Sequence, residues 1–436
     1  MRDIYIGLLG LGNVGAGVVR ILRENRESIE ARLSASVHVK RILVRDPSRS
    51  RDVQVDPGVL TTEVSEVLED PDVRVVVELI GGLEPARSYV LQALARGKHV
   101  VTANKALLAE HGEEIFGEAR RRGLSVYFEG SVAGGIPVLR ALREGLASDR
   151  IESIVGIVNG TANFILDAMT RTGASYADAL RDAQKAGFAE ADPHLDVGGG
   201  DAAHKLALLS LVSFGRRVDP KLISTEGITG ITRFDIQMAT ELGYVVKSLA
   251  VADLIDGVPC LRVHPTFVPC DHVLAGVHGA YNAVAVQSRA LGRSLYYGQG
   301  AGMMPTGVAV VSDIIEVCRD ILSFAESGPP PEAFEQIESV TPAPVGDLMC
   351  ENYLCVYAPN VPGVLGRVSS CLGAHGVSIK RMKQETPDPG RPIEMVIITE
   401  AVAESNLRAA MTEIDTFDEL TRPTHRIRML PREAVS

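Results

Sequence analysis

Ile4-Tyr5-Ile6-Gly7-Leu8-Leu9-Gly10-Leu11-Gly12-Asn13-Val14-Gly15 runs from an apolar segment straight into a Gly-x-Gly-x-x-Gly turn, and apolar residues then recur at helical spacing to about Asn25. A strand, a glycine turn and a helix in this order form the setting in which helix N-terminal amides approach a pyrophosphate, because glycine puts no Cβ in the way. Gly10, Leu11, Gly12, Asn13, Val14 and Gly15 are therefore the candidate cofactor-binding loop.

Working outward, short apolar runs alternate with helical periods at Val37 to Val44, Val73 to Leu79, Lys98 to Val101 and Leu124 to Phe128. That alternation predicts an α/β fold with a parallel, doubly wound sheet of Rossmann type. It stops near Gly135, so a first domain is expected over 1–135. A mixed α+β domain is expected over 136–304. The helical spacing of Val308, Val311, Ile314, Ile315 and Cys318 predicts a helix over about 305–325 that returns to the first domain. Ser327-Gly328-Pro329-Pro330-Pro331 and Thr341-Pro342-Ala343-Pro344 bound a stiff, irregular linker over 326–347. The remaining 348–432 reads β-α-β-β-α-β, the order of a small ferredoxin-like domain.

With 436 residues, 46% hydrophobic and 23% charged, the chain has material for several ordinary cores, and a single small module is excluded. Its 44 basic against 55 acidic residues give a net charge of -11, which argues against binding nucleic acid or an anionic membrane through non-specific charge. The uncharged stretch Ser294 to Ser312 contains Gly298, Gly300, Gly302, Gly307 and Pro305 and suits a loop rather than a membrane span. Met1-Arg2-Asp3-Ile4 enters a strand without the apolar region of a signal peptide, so the cytoplasm is the expected compartment. The 6 cysteines form no Cys-x-x-Cys pair and predict neither a disulfide framework nor a zinc site.

Three places carry candidate chemistry. Arg45 follows the second strand, where a chain specific for NAD usually places an acid, and with Arg49 and Arg51 it favours the 2'-phosphate of NADP. Asp46 keeps NAD open, and a solvated basic loop is the alternative. Thr102-Ala103-Asn104-Lys105 follows a strand whose carboxyl end should face the cofactor cleft, although a lone loop lysine is often simply solvated. In Glu190 to Lys205, carboxylates and a lysine crowd together behind glycines, and Asp201 and Lys205 share a helix face. An N-cap with a surface i,i+4 pair would give the same pattern.

Taken together, the glycine-rich start, Thr102 to Lys105, Glu129 to Pro137, Asn159-Gly160-Thr161, Glu190 to Lys205 and Gly300 to Gly307 resemble homoserine dehydrogenases. Asn360-Val361-Pro362-Gly363-Val364-Leu365 with Gly376-Val377-Ser378-Ile379 resembles an ACT domain, and the strand beginning at Ile4 leaves no place for the aspartate kinase of bifunctional relatives. The resemblance implies NAD(P)-dependent interconversion of aspartate 4-semialdehyde and homoserine in threonine, methionine and isoleucine biosynthesis. It implies Lys205 as proton donor or base, Asp201 as its orienting carboxylate and Lys105 as a second cation near the reacting oxygen. Glu190 would hold the substrate ammonium, with Asp196 in support. Thr102, Lys105 and Gly302 would join Arg45 and the glycine loop around the cofactor. A monovalent cation, sodium in most relatives, would sit at Glu129, Val132, Gly134 and Ile136. The tail implies feedback by threonine, and the family a homodimer or homotetramer, with 136–304 as the substrate-binding, catalytic and dimerisation domain.

Two other readings compete. A phosphorylating semialdehyde dehydrogenase needs a thiolate nucleophile; Cys260 and Cys270 fall in strand-like sequence, Cys318 in the returning helix and the others in the tail. A non-catalytic nucleotide and amino-acid sensor would not need Glu190, Asp201 and Lys205 intact.

Overall fold

The computed structural model describes residues 2–327, 338–384 and 393–432. The chain divides into two compact units. One comprises Met1–Gly160, Gly200–Ile223 and Ala280–Thr341, and the other Thr161–Gly199, Ser224–Gly279 and Pro342–Ser436.

In the first unit, β1 (Arg2–Leu9), β2 (Ala35–Leu43), β3 (Leu60–Thr61), β4 (Val73–Glu78), β5 (His99–Thr102) and β6 (Val126–Tyr127) form a parallel sheet in the order β3-β2-β1-β4-β5-β6. This is the doubly wound order in which a dinucleotide binds where the connections reverse direction, outside the ends of β1 and β4. The crossovers are helical: α1 (Asn13–Glu24), α2 (Arg26–Leu33), α3 (Ser65–Leu68) and α4 (Ala86–Ala95), with α5 (Lys105–Arg121) leading to β6. Ile4, Ile6, Leu8, Val75, Val77 and Val101 of the sheet are buried, as parallel strands covered on both faces must be. The long helix Met303–Ser327 adds Val310, Ile314 and Val317 to the same core. Three antiparallel strands, Ile151–Ile157, Tyr281–Ser288 and Gly292–Gln299, complete this unit with the helix Gly200–Phe214.

The second unit is built on a hairpin of Tyr244–Ile255 and Val258–Pro269, closed by Asp256 and Gly257, both at positive φ (50° and 80°). That is the geometry of a two-residue turn whose twist matches its strands. Strand Arg422–Met429 pairs in parallel with Val258–Pro269 and in antiparallel with Met349–Ala358. Beyond lie Ile393–Thr399 and Ile379–Gln384, and helices Val364–Ala374 and Glu404–Ile414 cover one face. The tail is thus the β-α-β-β-α-β sandwich expected.

The tail has its own core between sheet and helices, with Leu354, Val368, Ile397 and Leu407 buried, and its other face packs on the rest of the unit. Tyr353 of the tail is fully buried, packs against Phe267 with ring centroids 4.8 Å apart and planes tilted by 34°, and donates its hydroxyl to Asp235 at 3.0 Å. Arg426 and Arg428 both reach Glu226, at 2.7 and 2.8 Å. One core therefore runs from Ile165 and Ile236 to Tyr353 and Ile427. Residues 328–337 of the proline-rich linker expected over 326–347 lie outside the described residues. Its described end is docked: Glu338–Ser339 pairs with Arg216–Arg217, and Ala343 N donates to Pro259 O at 2.8 Å.

Candidate active site

The glycine turn is dictated by space. Gly10 has φ +105°, and a Cβ at Gly15 would sit 2.5 Å from the Gly10 carbonyl oxygen, so the chain passes from β1 to α1 closely enough to leave room beside it. Gly12 is the N-cap of α1, and Asn13, Val14 and Gly15 begin its first turn. Gly10, Leu11 and Gly12 line a cleft with Arg45, Asp46, Arg49 and Arg51. Arg51 is spent on its own loop, donating to Asp46 O at 2.5 Å and Arg49 O at 2.7 Å. Asp46 turns its carboxylate to Ser48, accepting from the hydroxyl at 2.6 Å and the amide at 2.9 Å, contacts that lower its pKa. Both of these bonds fall on one carboxylate oxygen, Oδ1.

Below the carboxyl end of β5, Thr102 is fully buried with its hydroxyl inside the protein, donating to Glu78. Asn104 caps α5 by accepting from Leu107 N at 3.2 Å, which makes Lys105 the first helical residue. Lys105 Nζ lies 3.0 Å from Asp201 Oδ1. From the first turn of Gly200–Phe214, Asp201 also accepts from Lys205 Nζ at 2.7 Å and from Asn159 Nδ2 at 2.8 Å, both at Oδ2. Lys205 Nζ further donates to Val158 O at 2.7 Å. Asp201 is 4% exposed. Burial alone would raise its pKa, but the ammonium groups of Lys205 and Lys105 and the hydrogen bonds from Lys205 and Asn159 outweigh it and hold the carboxyl well below the usual range. Two lysines are thus held by one ionised carboxylate beside the sheet that carries the cofactor loop. Such a cluster can present N–H donors to an oxygen that gains charge.

Asn159 was singled out in sequence only as part of a motif. Its amide fixes the Asp201 oxygen that also holds Lys205, a partnership between distant segments that no local spacing reveals.

The segment with Glu190 and Asp196 belongs to the other unit. Glu190 is exposed, with its carbonyl accepting from Gln184 Nε2 at 3.0 Å. Thr161 ties this segment together, donating to Phe188 O at 2.6 Å and approaching Asp196 Oδ2 at 3.4 Å.

Back in the first unit, the loop from Glu129 to Ile136 turns through Ala133 and Gly134 at φ +53° and +48°. Glu129 is buried, and its two carboxylate oxygens accept from Leu139 N at 2.9 Å and Arg140 N at 2.8 Å. Burial raises its pKa against those bonds. Asp313, which accepts from Glu129 N at 2.8 Å, is pushed up to about 8 by burial and by the neighbouring carboxylate. Gly302, at φ +132°, starts the helix Met303–Ser327, its carbonyl accepting from Thr306 N at 3.1 Å.

Comparison with known proteins decides what this assembly is. The family model described as homoserine dehydrogenase matches residues 137–315, its NAD-binding domain matches 10–129, and the ACT domain model matches 353–418. A homoserine dehydrogenase of Pseudomonas aeruginosa is 42% identical over 433 residues, covering 98% of this chain and 99% of the relative. This chain belongs to the homoserine dehydrogenase family. A homoserine dehydrogenase structure from Thiobacillus denitrificans agrees with a TM-score of 0.93 at 43% identity, covering 99% of both chains. A hyperthermophilic archaeal homoserine dehydrogenase in complex with NADPH matches 72% of this chain and 98% of its own, at 26% identity and a TM-score of 0.61. Membership makes the protein an NAD(P)-dependent oxidoreductase acting between homoserine and aspartate 4-semialdehyde, with an ACT domain at its C-terminal end. A thiol-dependent semialdehyde dehydrogenase and a non-catalytic sensor are thereby set aside.

Proposed function

We propose that this homoserine dehydrogenase works with NADP and that the Asp201 carboxylate, holding Lys105 and Lys205, is its proton-transfer centre. That carboxylate between two lysines is the observation that carries the reading. When bound, the nicotinamide supplies hydride to C4 of aspartate 4-semialdehyde and takes it back from homoserine. Lys205 gives a proton to the carbonyl oxygen in reduction and removes it in oxidation, and Lys105 stabilises the charge that develops there. Asp201 keeps both ammonium groups in place. Glu190 pairs with the substrate ammonium, and Asp196, tied to the same segment through Thr161, supports it.

The cleft at Gly10 to Gly15 takes the pyrophosphate, with Gly302 and the Thr102–Lys105 turn toward the nicotinamide end. Arg45 receives the 2'-phosphate; Arg49, which lines the same cleft, adds a second positive charge in support of NADP over NAD. Glu129, Val132, Gly134 and Ile136 offer oxygen donors only. The Glu129 oxygens and the Ile136 carbonyl each accept a single N–H, leaving a lone pair apiece, and a positive charge would relieve the buried Glu129–Asp313 pair. These residues fit a hard monovalent cation such as sodium, which would hold the loop rather than react.

Further readings follow on the same footing. The tail takes threonine as a feedback effector. Gly363, at φ +99°, opens the helix Val364–Ala374 beside Asn360 and Pro362, where backbone amides can meet a carboxylate. The edge strand Gly292–Gln299 exposes Leu295 and Tyr297, which supports assembly as a homodimer or homotetramer. The six free cysteines support a cytoplasmic setting. Among the described residues no helix is long and apolar enough to cross a membrane.

The test is homoserine-dependent reduction of NADP and of NAD with sodium supplied, followed by absorbance of the reduced nicotinamide, with and without threonine. Faster NADP reduction that threonine inhibits is expected. Preference for NAD would refute the cofactor assignment alone, and indifference to threonine would leave the tail as a structural partner of the second unit.

A further inference from the structure

Glu78 stands at the carboxyl end of β4, fully buried, and has no part in the roles above. A buried carboxylate must have its lone pairs satisfied, and this one is met by donors from two separate loops. Its Oε1 accepts from Ile80 N at 2.9 Å and Gly81 N at 3.0 Å, and its Oε2 accepts from Thr102 Oγ1 at 2.6 Å. The Thr102 hydroxyl accepts in turn from Asn104 N at 3.0 Å. Asn104 then closes the circuit, donating Nδ2 to Gly82 O at 2.7 Å while capping the helix that begins with Lys105.

The two loops have different duties. Leu79, Ile80 and Gly81 line the cleft beside Gly10 and Arg45. The 102–104 turn launches Lys105 to its 3.0 Å contact with Asp201. We propose that Glu78 is a positioning residue that fixes the cofactor-cleft loop and the Lys105 turn against each other, acting on the first through backbone amides and on the second through Thr102. The proposal rests on the cofactor and lysine roles given above.

A carboxylate suits the task because it only accepts, and all three of its partners donate. In Glu78→Gln the two amides exchange a charged acceptor for a neutral one, roughly half as strong, and the new NH2 faces a Thr102 hydroxyl that already accepts from Asn104 and needs an acceptor for its own proton. Size and packing are unchanged while the link fails. Losing hydrogen bonds to a charged group is worth roughly 10-fold or more in an equilibrium.

The experiment measures NADPH dissociation by fluorescence, steady-state kcat and Tm in full-length wild type, Glu78→Gln, Thr102→Val and Thr102→Ser. Glu78→Gln is expected to weaken NADPH and lower kcat, each about 10-fold. Thr102→Val, which keeps the turn's backbone for the cofactor and removes only the buried hydroxyl that links Glu78 to the Lys105 turn, should lower kcat similarly while leaving NADPH affinity within about 2-fold, and Thr102→Ser, which keeps the hydroxyl, should recover kcat. Wild-type affinity and kcat in Glu78→Gln would overturn the proposal. So would equal loss of NADPH affinity in Thr102→Val, or a Ser variant no better than Val, whatever the Tm values. Should Glu78→Gln fail to fold, the Val and Ser pair decides alone. If wild type binds NADH in place of NADPH, the cofactor reading fails and the same comparison proceeds with NADH; if it binds neither, both readings fall.

Discussion

Lys105, the first residue of α5, places its Nζ 3.0 Å from Oδ1 of Asp201, the second residue of the helix Gly200–Phe214. Both residues stand at helix N-termini, where the macrodipole favours the aspartate and disfavours the lysine by about 0.3 to 1 kcal/mol each. A lysine kept at the wrong end of its helix is one placed for its charge, and Asp201 is what makes the position tolerable.

Replacing Asp201 by Asn keeps the shape and removes the charge shared by two ammonium groups. The pair with Lys205 is nearly buried, so the loss should cost about 3 kcal/mol of stability and kcat should fall at least 100-fold. Urea melts and steady-state rates on the same preparation check both; unchanged kcat would remove Asp201 from the mechanism.

Arg45→Ala should raise KM for NADP about 10-fold and leave KM for NAD within about 2-fold, since only the phosphorylated cofactor offers a charge-assisted partner there. Parallel changes with both cofactors would point to damage to the glycine loop instead.

These sites were legible in sequence to different degrees, for physical reasons. Gly10 to Gly15 and the Asp201–Lys205 pair are local: spacing along one strand-turn-helix, or along one helix face, is enough. Asn159 and Glu78 act through partners far along the chain, and Glu78 looks like an ordinary strand end, although an acid closing an apolar run before Gly81-Gly82 was a usable signal. The hairpin strand Tyr244–Ile255 is hard to read because Lys247 and Asp253 interrupt its apolar pattern, although Asp256-Gly257 is a usable turn signal. The proline-rich segment reads as a linker, and nothing local in the tail shows that Tyr353 will bury itself against Phe267.

That contact changes what truncation should do. A chain ending near Pro342 loses Tyr353, Ile427 and Met429 from a shared core and strips Arg422–Met429 from Val258–Pro269. Exposing even one large core side chain costs about 1.5 to 3 kcal/mol, so the shortened protein should aggregate or lose its cooperative melt. A soluble, cooperatively melting truncated enzyme would show that the tail is dispensable to the second unit.

Acid should find the nucleotide sheet at His99. The ring is buried in β5, its Nδ1 accepting from Ser125 N at 3.0 Å, and burial lowers its pKa to about 4. Because the folded value lies below the unfolded one of about 6.5, this group's share of stability is complete above pH 6.5 and is lost as pH falls toward 4. The drop should be on the order of 3 kcal/mol, and His99→Gln, which keeps an acceptor, should flatten that part of the stability profile. A wild-type profile already flat from pH 6.5 to 4 would contradict it.

The central claim is that Lys205, held by Asp201 and the Val158 carbonyl, moves the proton that accompanies hydride transfer. Steady-state homoserine oxidation by Lys205→Ala, with NADPH affinity measured alongside, tests it most directly. The account predicts a fall in kcat of roughly 10² to 10⁴-fold at nearly unchanged NADPH affinity. Near-wild-type turnover in that variant would contradict it and pass the proton-transfer role to Lys105 or to solvent.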